Sequence, residues 1–154
     1  MNTNRIQYRV QWGDTAAAGI VFYPNYFRWF DHAGLEYLRA SGLPLETLIA
    51  QHQIILPIID AGCRFHRPVR YSDLLTIETT ISEMRLRTFR FEHRVSCAGE
   101  ITGIGYEVRG CVRSPARTDG KLELIALPEE IRSRLTDKAL DMGKTQASEG
   151  PTSG

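Results

Sequence analysis

No apolar run in this sequence approaches the roughly 18 residues that a membrane-spanning helix requires, so a helical membrane protein is not expected. The amino end, MNTNRIQYRV, lacks an apolar stretch of the kind that marks a secretory signal. There is no CxxC, and the three cysteines, Cys63, Cys97 and Cys111, cannot all pair with one another, which fits buried thiols in a reducing compartment. There is no excess of either charge: 19 Lys and Arg stand against 18 Asp and Glu, for a formal net charge of +1. So even a balance gives no global reason to expect nucleic acid or an anionic membrane as partner, and anion recognition would need a local cluster. Metal-ligand spacing is lacking too. Cys63 and His66 lie three apart on an expected strand and so point to opposite faces, and no second pair has zinc spacing. No internal repeat is visible. What remains is a globular composition, 42% hydrophobic and 24% charged in 154 residues, enough for one domain with a real core. The domain is expected over 1–136. The polar, Gly-containing stretch 137–154 is expected to be a flexible tail.

Two periodicities order the chain. Ile6, Tyr8, Val10 and Trp12 alternate with polar residues, as a half-buried strand does. The stretch Gly13 to Gly19 breaks that pattern, and Pro24 suits the first helical position, which predicts a helix beginning near Tyr23. Tyr26, Phe30, Ala33 and Tyr37 then recur at helical spacing, and Phe27, Trp29, Gly34 and Leu38 widen the apolar face, predicting a helix buried on more than one side. SGLP, Ser41 to Pro44, stops it, and a shorter helical segment is expected over Leu45 to Gln51.

Beyond His52 the period becomes two, with ILPIID, then an alternating stretch from Asp60 to Arg70. Next come Leu75–Ile77–Thr79–Ile81, then Phe89–Phe91–His93–Val95–Cys97. CAGE reads as a tight turn, and Ile104, Tyr106, Val108 and Gly110 continue the alternation on the returning strand. Asp119–Gly120 marks a further hairpin leading into LELI, and Pro128–Glu129–Glu130 opens a last short helix. A strand, a long helix and four or five further antiparallel strands make an α+β chain. One helix is most economically buried by a sheet that curls around it, leaving the other face or an edge for self-association.

The loop and helix GDTAAAGIVFYPNYFRWFDHA, the later SDLLTIET and the strand order together resemble the hotdog-fold acyl-CoA thioesterases, in particular the 4-hydroxybenzoyl-CoA thioesterase family. The likeness runs from about Ile6 to Leu135. It implies a long central helix wrapped by a curved antiparallel sheet, and homodimers or homotetramers with each active site between two subunits. The implied substrate is an acyl-CoA thioester, with an aromatic acyl group, and no cofactor is needed because coenzyme A belongs to the substrate. A cytoplasmic enzyme is expected, without nucleic acid or membrane partners.

The family loop reads G-D-x-D-x-x-G, with the second Asp as catalytic carboxylate. Here it is Gly13-Asp14-Thr15-Ala16-Ala17-Ala18-Gly19, so Ala16 occupies the catalytic position. A methyl group can neither attack a thioester carbon nor activate water, and loss of a general base costs about 10²–10⁴ in rate. An impaired or inactive thioesterase is therefore expected, the Ala being either introduced or natural. A non-catalytic acyl-CoA-binding protein on the same scaffold is the alternative.

The resemblance implies further roles. The Tyr23 backbone N–H would hold the thioester oxygen at the helix start, where unpaired N–H groups and the helix dipole favour negative charge. Asp31 would meet the ring hydroxyl of a 4-hydroxybenzoyl group, or else be a solvated or Arg-paired helix carboxylate. Arg85 and Arg87 of EMRLRTFRF, expected on one face of a strand, would touch the CoA phosphates, or else be a charged strand edge, as would Arg90. Asp14 would brace the loop and Glu36 is a weak alternative acid. Phe22, Tyr23, Tyr26, Trp29 and Phe30 would line an acyl pocket or belong to the core. His93 is expected to be a satisfied core or interface histidine.

Overall fold

A computed structural model describes residues 2–115, 119–121 and 123–136. The tail expected from residue 137 and Leu122 of the LELI segment lie outside the described residues. Strand β1 (Thr3–Arg9) leads through a short 3₁₀ turn, Trp12–Asp14, and a loop into helix α1 (Asn25–Ala40). A helical turn, α2 (Leu45–Thr47), continues as one π-helical turn, Leu48–His52, and stops at Gln53, whose φ is 54°. Then come β2 (Ile54–Ile55), β3 (Ile58–Phe65), β4 (Leu74–Met84), β5 (Thr88–Cys97), β6 (Glu100–Gly110), β7 (Val112–Arg113) and α3 (Glu129–Thr136).

Five strands form one antiparallel sheet in the order β1-β4-β5-β6-β3, and β2 pairs with β7. Helix α1 lies along the inner face of the sheet. Ala98 and Gly99 both carry positive φ between paired Cys97 and Glu100, which is the two-residue turn that matches strand twist. Leu124 makes a single antiparallel bridge to Val112, and the Ile125 N–H donates to the Cys111 carbonyl at 2.8 Å. Among the described residues no helix is long and apolar enough to cross a membrane.

Three expectations are corrected by packing. Trp12 does not continue β1: the strand ends at Arg9, and Trp12 stands 71% exposed against Tyr71. Helix α1 is buried along one broad stripe, from Tyr26 through Trp29, Phe30, Ala33 and Gly34 to Tyr37 and Leu38, while Arg28, His32 and Arg39 remain exposed. A single five-stranded sheet curls around only one side of a helix. The apolar phase of β6 is also inverted. Ile104, Tyr106 and Val108 face outward and half-buried, while Gly103, Gly105, Glu107 and Arg109 face α1. The helix sits so close that a methyl at Gly105 would overlap the Phe30 ring, and one at Gly103 would lie 2.8 Å from Tyr26. Small residues on β6 thus let the aromatic stripe of α1 sink onto the sheet, each buried ring contributing roughly 1.5–3 kcal/mol.

Burial also sets an alkaline limit. It pushes the Tyr37 phenol from 10.0 up to about 12 and the Cys111 thiol from 9.0 up to about 11. Both folded-state values are raised, so this part of the stability is complete below the unfolded values and is lost as pH climbs toward the folded ones. The urea midpoint is expected to change little up to pH 9 and then to fall. The slope is roughly 1.4 kcal/mol per pH unit for each group while it titrates. A midpoint at pH 11 equal to that at pH 8 would refute it.

Candidate active site

The loop between β1 and α1 is held from both ends by Asp14, itself only 6% exposed. Its carboxylate Oδ2 accepts from the Tyr8 hydroxyl at 2.7 Å and from the Gln11 N–H at 2.8 Å. Its backbone carbonyl accepts from the Phe22 N–H at 2.9 Å and from the Asn25 side-chain amide at 2.8 Å. Asp14 is therefore a brace through Oδ2 and its backbone carbonyl, in the role its place in the loop suggested. Asp14→Ala removes two bonds to a charged acceptor and is expected to lower stability by about 1.5–3 kcal/mol. Urea unfolding measures the loss, and a change below about 0.5 kcal/mol, the ordinary surface range, would deny Asp14 this role.

Within the loop, the Ala16 N–H donates to the Ile20 carbonyl at 2.8 Å and the Ala16 carbonyl accepts from the Gly19 N–H at 2.9 Å. Gly19 takes φ of 73°, the left-handed conformation that closes this small hairpin without a Cβ penalty. Ala16 itself is exposed, so a side chain here reaches solvent and ligand rather than core. Pro24, expected at the first helical position, instead caps the helix with φ of −62°, and α1 begins one residue later at Asn25. The N–H groups of Asn25, Tyr26 and Phe27 bond back to Phe22, Tyr23 and Pro24 in tight turns. The Tyr23 N–H finds no acceptor among the described residues. It is left as an open donor at the positive end of the α1 dipole.

Beside it opens a cleft of about 340 Å³ lined by Val21, Tyr23, Tyr26, Phe65, His66 and Val69, among others. The Phe65 ring stands edge-on to Tyr26 at 5.0 Å and to Tyr23 at 6.1 Å. The five aromatics singled out in the sequence therefore divide. Tyr26, Trp29 and Phe30 are buried, with Tyr26 also edging the cleft, while Phe22 and Tyr23 are 53% and 61% exposed. Phe65 and His66 were missed because an edge strand carries no period that marks which residues meet a helix end.

The charged candidates are scattered within one protomer. Asp31 is paired: its Oδ1 accepts from Arg109 at 3.1 Å, and its side chain remains half exposed. Glu36 pairs with Arg39 at 3.5 Å, farther along α1. Arg85 and Arg87 do not share a strand face. β4 ends at Met84 and β5 begins at Thr88, so both lie in the connecting turn, where alternation no longer applies. Arg85 there pairs with Glu83 at 2.8 Å. Arg90 does lie on β5 and stacks over the Tyr106 ring at 3.9 Å. The register places the arginine turn at the opposite end of the sheet from Tyr23. Phe65, which touches Tyr23, is level with Gly103 and Val95, whereas Met84 pairs with Phe89 and Phe89 with Arg109. On β4 that level falls at Ile77, seven residues before Met84, about 23 Å at roughly 3.3 Å per residue.

Behind α1 lies a buried polar chain. His93 Nδ1 is 2.8 Å from the Thr79 hydroxyl, and its Nε2 is 2.8 Å from Glu107 Oε1. Arg109 reaches Glu107 at 3.3 Å, Asp31 at 3.1 Å and the Leu56 carbonyl at 3.1 Å. His93 is thus a satisfied core histidine, stacked on Phe30 at 4.8 Å.

A thioesterase superfamily model matches residues 18–104, which include the end of the β1–α1 loop from Ala18, all of α1 and β2 to β5, and begin after position 16. The chain belongs to the thioesterase superfamily. The 4-hydroxybenzoyl-CoA thioesterase of Pseudomonas sp. strain CBS-3 is 40% identical over 93 residues, which span 59% of this chain and 66% of that one. An Aquifex aeolicus protein called a putative esterase is 33% identical over 129 residues, 84% of this chain and 94% of its own. Among solved structures, an Asp-to-Asn variant of 4-hydroxybenzoyl CoA thioesterase complexed with 4-hydroxybenzoyl CoA aligns with a TM-score of 0.79 at 30% identity. The alignment covers 87% of this chain and 99% of that one. A gentisyl-coenzyme A thioesterase aligns at 0.76 and 34% identity, over 86% and 99%. The helix-on-curved-sheet architecture is the hotdog fold, and the chain is by family an acyl-CoA thioesterase, a thioester hydrolase.

Proposed function

We propose that this thioesterase takes an aromatic acyl-CoA at the start of α1, and that Ala16 leaves it impaired or inactive in hydrolysis. The observation that carries this reading is the Tyr23 N–H, an open donor beside a cleft edged by aromatic rings. A thioester oxygen placed against it would be polarised by the N–H and the helix dipole together, and an aryl group would meet ring edges at Tyr26 and Phe65. Ala16 supplies neither nucleophile nor base. In the intact site a carboxylate at this position would act on the thioester carbon directly or through water. No cofactor enters, since coenzyme A arrives with the substrate.

Arg85 and Arg87 serve the CoA phosphates only if a second copy supplies them. β3 is an edge of the sheet, with Ile58 and Ile59 exposed at 41% and 42%. Antiparallel pairing of two β3 strands would set the cleft end of one protomer beside the arginine-turn end of the other. That turn would then lie about two strand spacings, roughly 10 Å, from the shared edge. We therefore read the chain as a homodimer, or a homotetramer built from dimers, with each site shared between protomers. Its free cysteines, Cys63, Cys97 and Cys111, support a cytoplasmic setting.

The absent acid favours a second reading, a non-catalytic acyl-CoA-binding protein on the same scaffold. Calorimetric binding and hydrolysis of 4-hydroxybenzoyl-CoA, measured for this chain and for Ala16→Asp, separate the two. Binding by both, with hydrolysis restored in the variant, supports the impaired enzyme. Tight binding with hydrolysis in neither supports the binding protein. No binding in either refutes both.

A further inference from the structure

We infer that His66 is a catalytic residue of this chain, the base that draws a proton from the attacking water where position 16 carries no carboxylate. This rests on the acyl-CoA reading above, within which it names the base of the impaired enzyme. The starting point is the cleft beside the Tyr23 N–H. Of its described lining residues, Tyr23, Tyr26, His66 and Arg67 carry side chains that ionise. An ordinary phenol holds its proton to about pH 10, and a guanidinium stays charged throughout. Burial pushes the Tyr26 phenol higher still, and its hydroxyl already donates to Thr102 Oγ1 at 3.1 Å. Arg67 is committed to Glu100 at 2.7 Å. His66 remains. Its ring has no hydrogen bond or ion pair among the described residues, and imidazole is the side chain chemically suited to accept a proton near neutral pH.

The fold sets that ring at the cleft. Phe65 ends β3 and meets Tyr23 and Tyr26 with its own ring, and the chain leaves the strand at His66. The His66 and Arg67 N–H groups both donate to the Thr102 carbonyl, at 2.8 and 3.2 Å. The hydroxyl of the same Thr102 holds Tyr26 in the first turn of α1. One residue of β6 thus ties the His66 backbone and the helix start together. The side chain itself is exposed, edging both this cleft and a groove on the outer face of the sheet lined by Arg64, Arg90 and Glu92. It turns toward a bound ligand without unpacking the core.

The step balances without a cofactor. With the thioester oxygen against the Tyr23 N–H, water attacks the carbonyl carbon and its proton passes to an imidazole nitrogen of His66. The carbon–sulfur bond then breaks, and coenzyme A departs as thiolate and takes the proton from the imidazolium. The products are the carboxylic acid and the free thiol, and the histidine is neutral again. A base acting on water needs only to reach the water, so His66 works from the cleft wall and not from the place of the missing carboxylate.

The test measures single-turnover hydrolysis of 4-hydroxybenzoyl-CoA, and its dissociation constant, for the chain, His66→Gln, Ala16→Asp and the double variant. The chain is expected to hydrolyse the bound ester slowly but faster than buffer does. His66→Gln lowers that rate about tenfold, less than the loss of a fixed base because nothing orders the ring, and leaves the dissociation constant within about twofold. In the Ala16→Asp background the carboxylate takes over, and the loss from His66→Gln shrinks to about twofold or less. A histidine that only shapes the cleft would lower both rates alike. Three results overturn the inference and leave the acyl-CoA reading standing: binding by the chain with no hydrolysis above buffer, a rate that survives His66→Gln, or equal losses in the two backgrounds. Failure of the chain to bind the ester overturns that reading as well.

Discussion

Ala16→Asp raises the rate of 4-hydroxybenzoyl-CoA hydrolysis by about 10²–10⁴, with affinity for the ester changed far less. The backbone at position 16 is already committed: its N–H and C=O bond to Ile20 and Gly19 within the loop. The side chain is exposed, so a carboxylate adds no buried charge and calls for no rearrangement. Asp14 is placed otherwise: it is 6% exposed, with Tyr8 and Gln11 on Oδ2 and Phe22 and Asn25 on its carbonyl. Asp31 is tied to Arg109 and Glu36 to Arg39, both beyond the first turn of α1. None of these three acids stands in for the missing carboxylate, while the Tyr23 N–H remains open. Loss of thioester absorbance under single-turnover conditions measures the gain. A variant that binds the ester but hydrolyses it no faster than the parent would remove position 16 from the chemistry.

The second large effect is on stability. Arg109→Met is expected to cost about 3–5 kcal/mol, the penalty for breaking a buried ion pair by removing one partner. Glu107 is 1% exposed and would be left with His93 Nε2 alone, and the Leu56 carbonyl would lose its side-chain donor. Adding Glu107→Leu is expected to recover part of the loss, since the stranded charge is then gone. Recovery stays incomplete because a buried His93 nitrogen would lack its partner, at about 1–3 kcal/mol. Urea unfolding at fixed protein concentration measures both changes, the concentration being held because self-association would shift the midpoint. A single-variant loss under about 1 kcal/mol would show that the network contributes little to holding α1 on the sheet.

How much of the site was legible differs residue by residue. Ala16 could be found because a loop motif is contiguous, so its gap is visible along the chain. Tyr23 was named through the family resemblance, and what the residues themselves mark is a helix start near Pro24 with unpaired N–H groups. Asp31 was visible as a helix acid with two open roles, and only the packing against β6 shows that Arg109 holds it. Glu107 and Arg109 gave no functional signal. They sit in phase with Gly103 and Gly105, positions that read as polar or empty, while Ile104, Tyr106 and Val108 drew attention to the face that turned out to point away from α1. Arg85 and Arg87 were legible as a basic cluster, but their distance from Tyr23 depends on strand register, which no single segment encodes.

By itself the sequence determined the local elements. Period two marked the strands, period near 3.6 marked α1, Pro24 and SGLP marked its ends, and the gap at position 16 showed that the expected carboxylate is absent. These features act between residues close along the chain, so they are written in local order. Tertiary structure alone decided which face of β6 meets the helix and that four polar side chains from three strands form one line reaching Asp31. It also decided that the arginine turn lies at the far end of the sheet from the cleft. Those outcomes depend on which strands become neighbours and on how closely a helix can approach glycine, and both are settled only when distant segments pack.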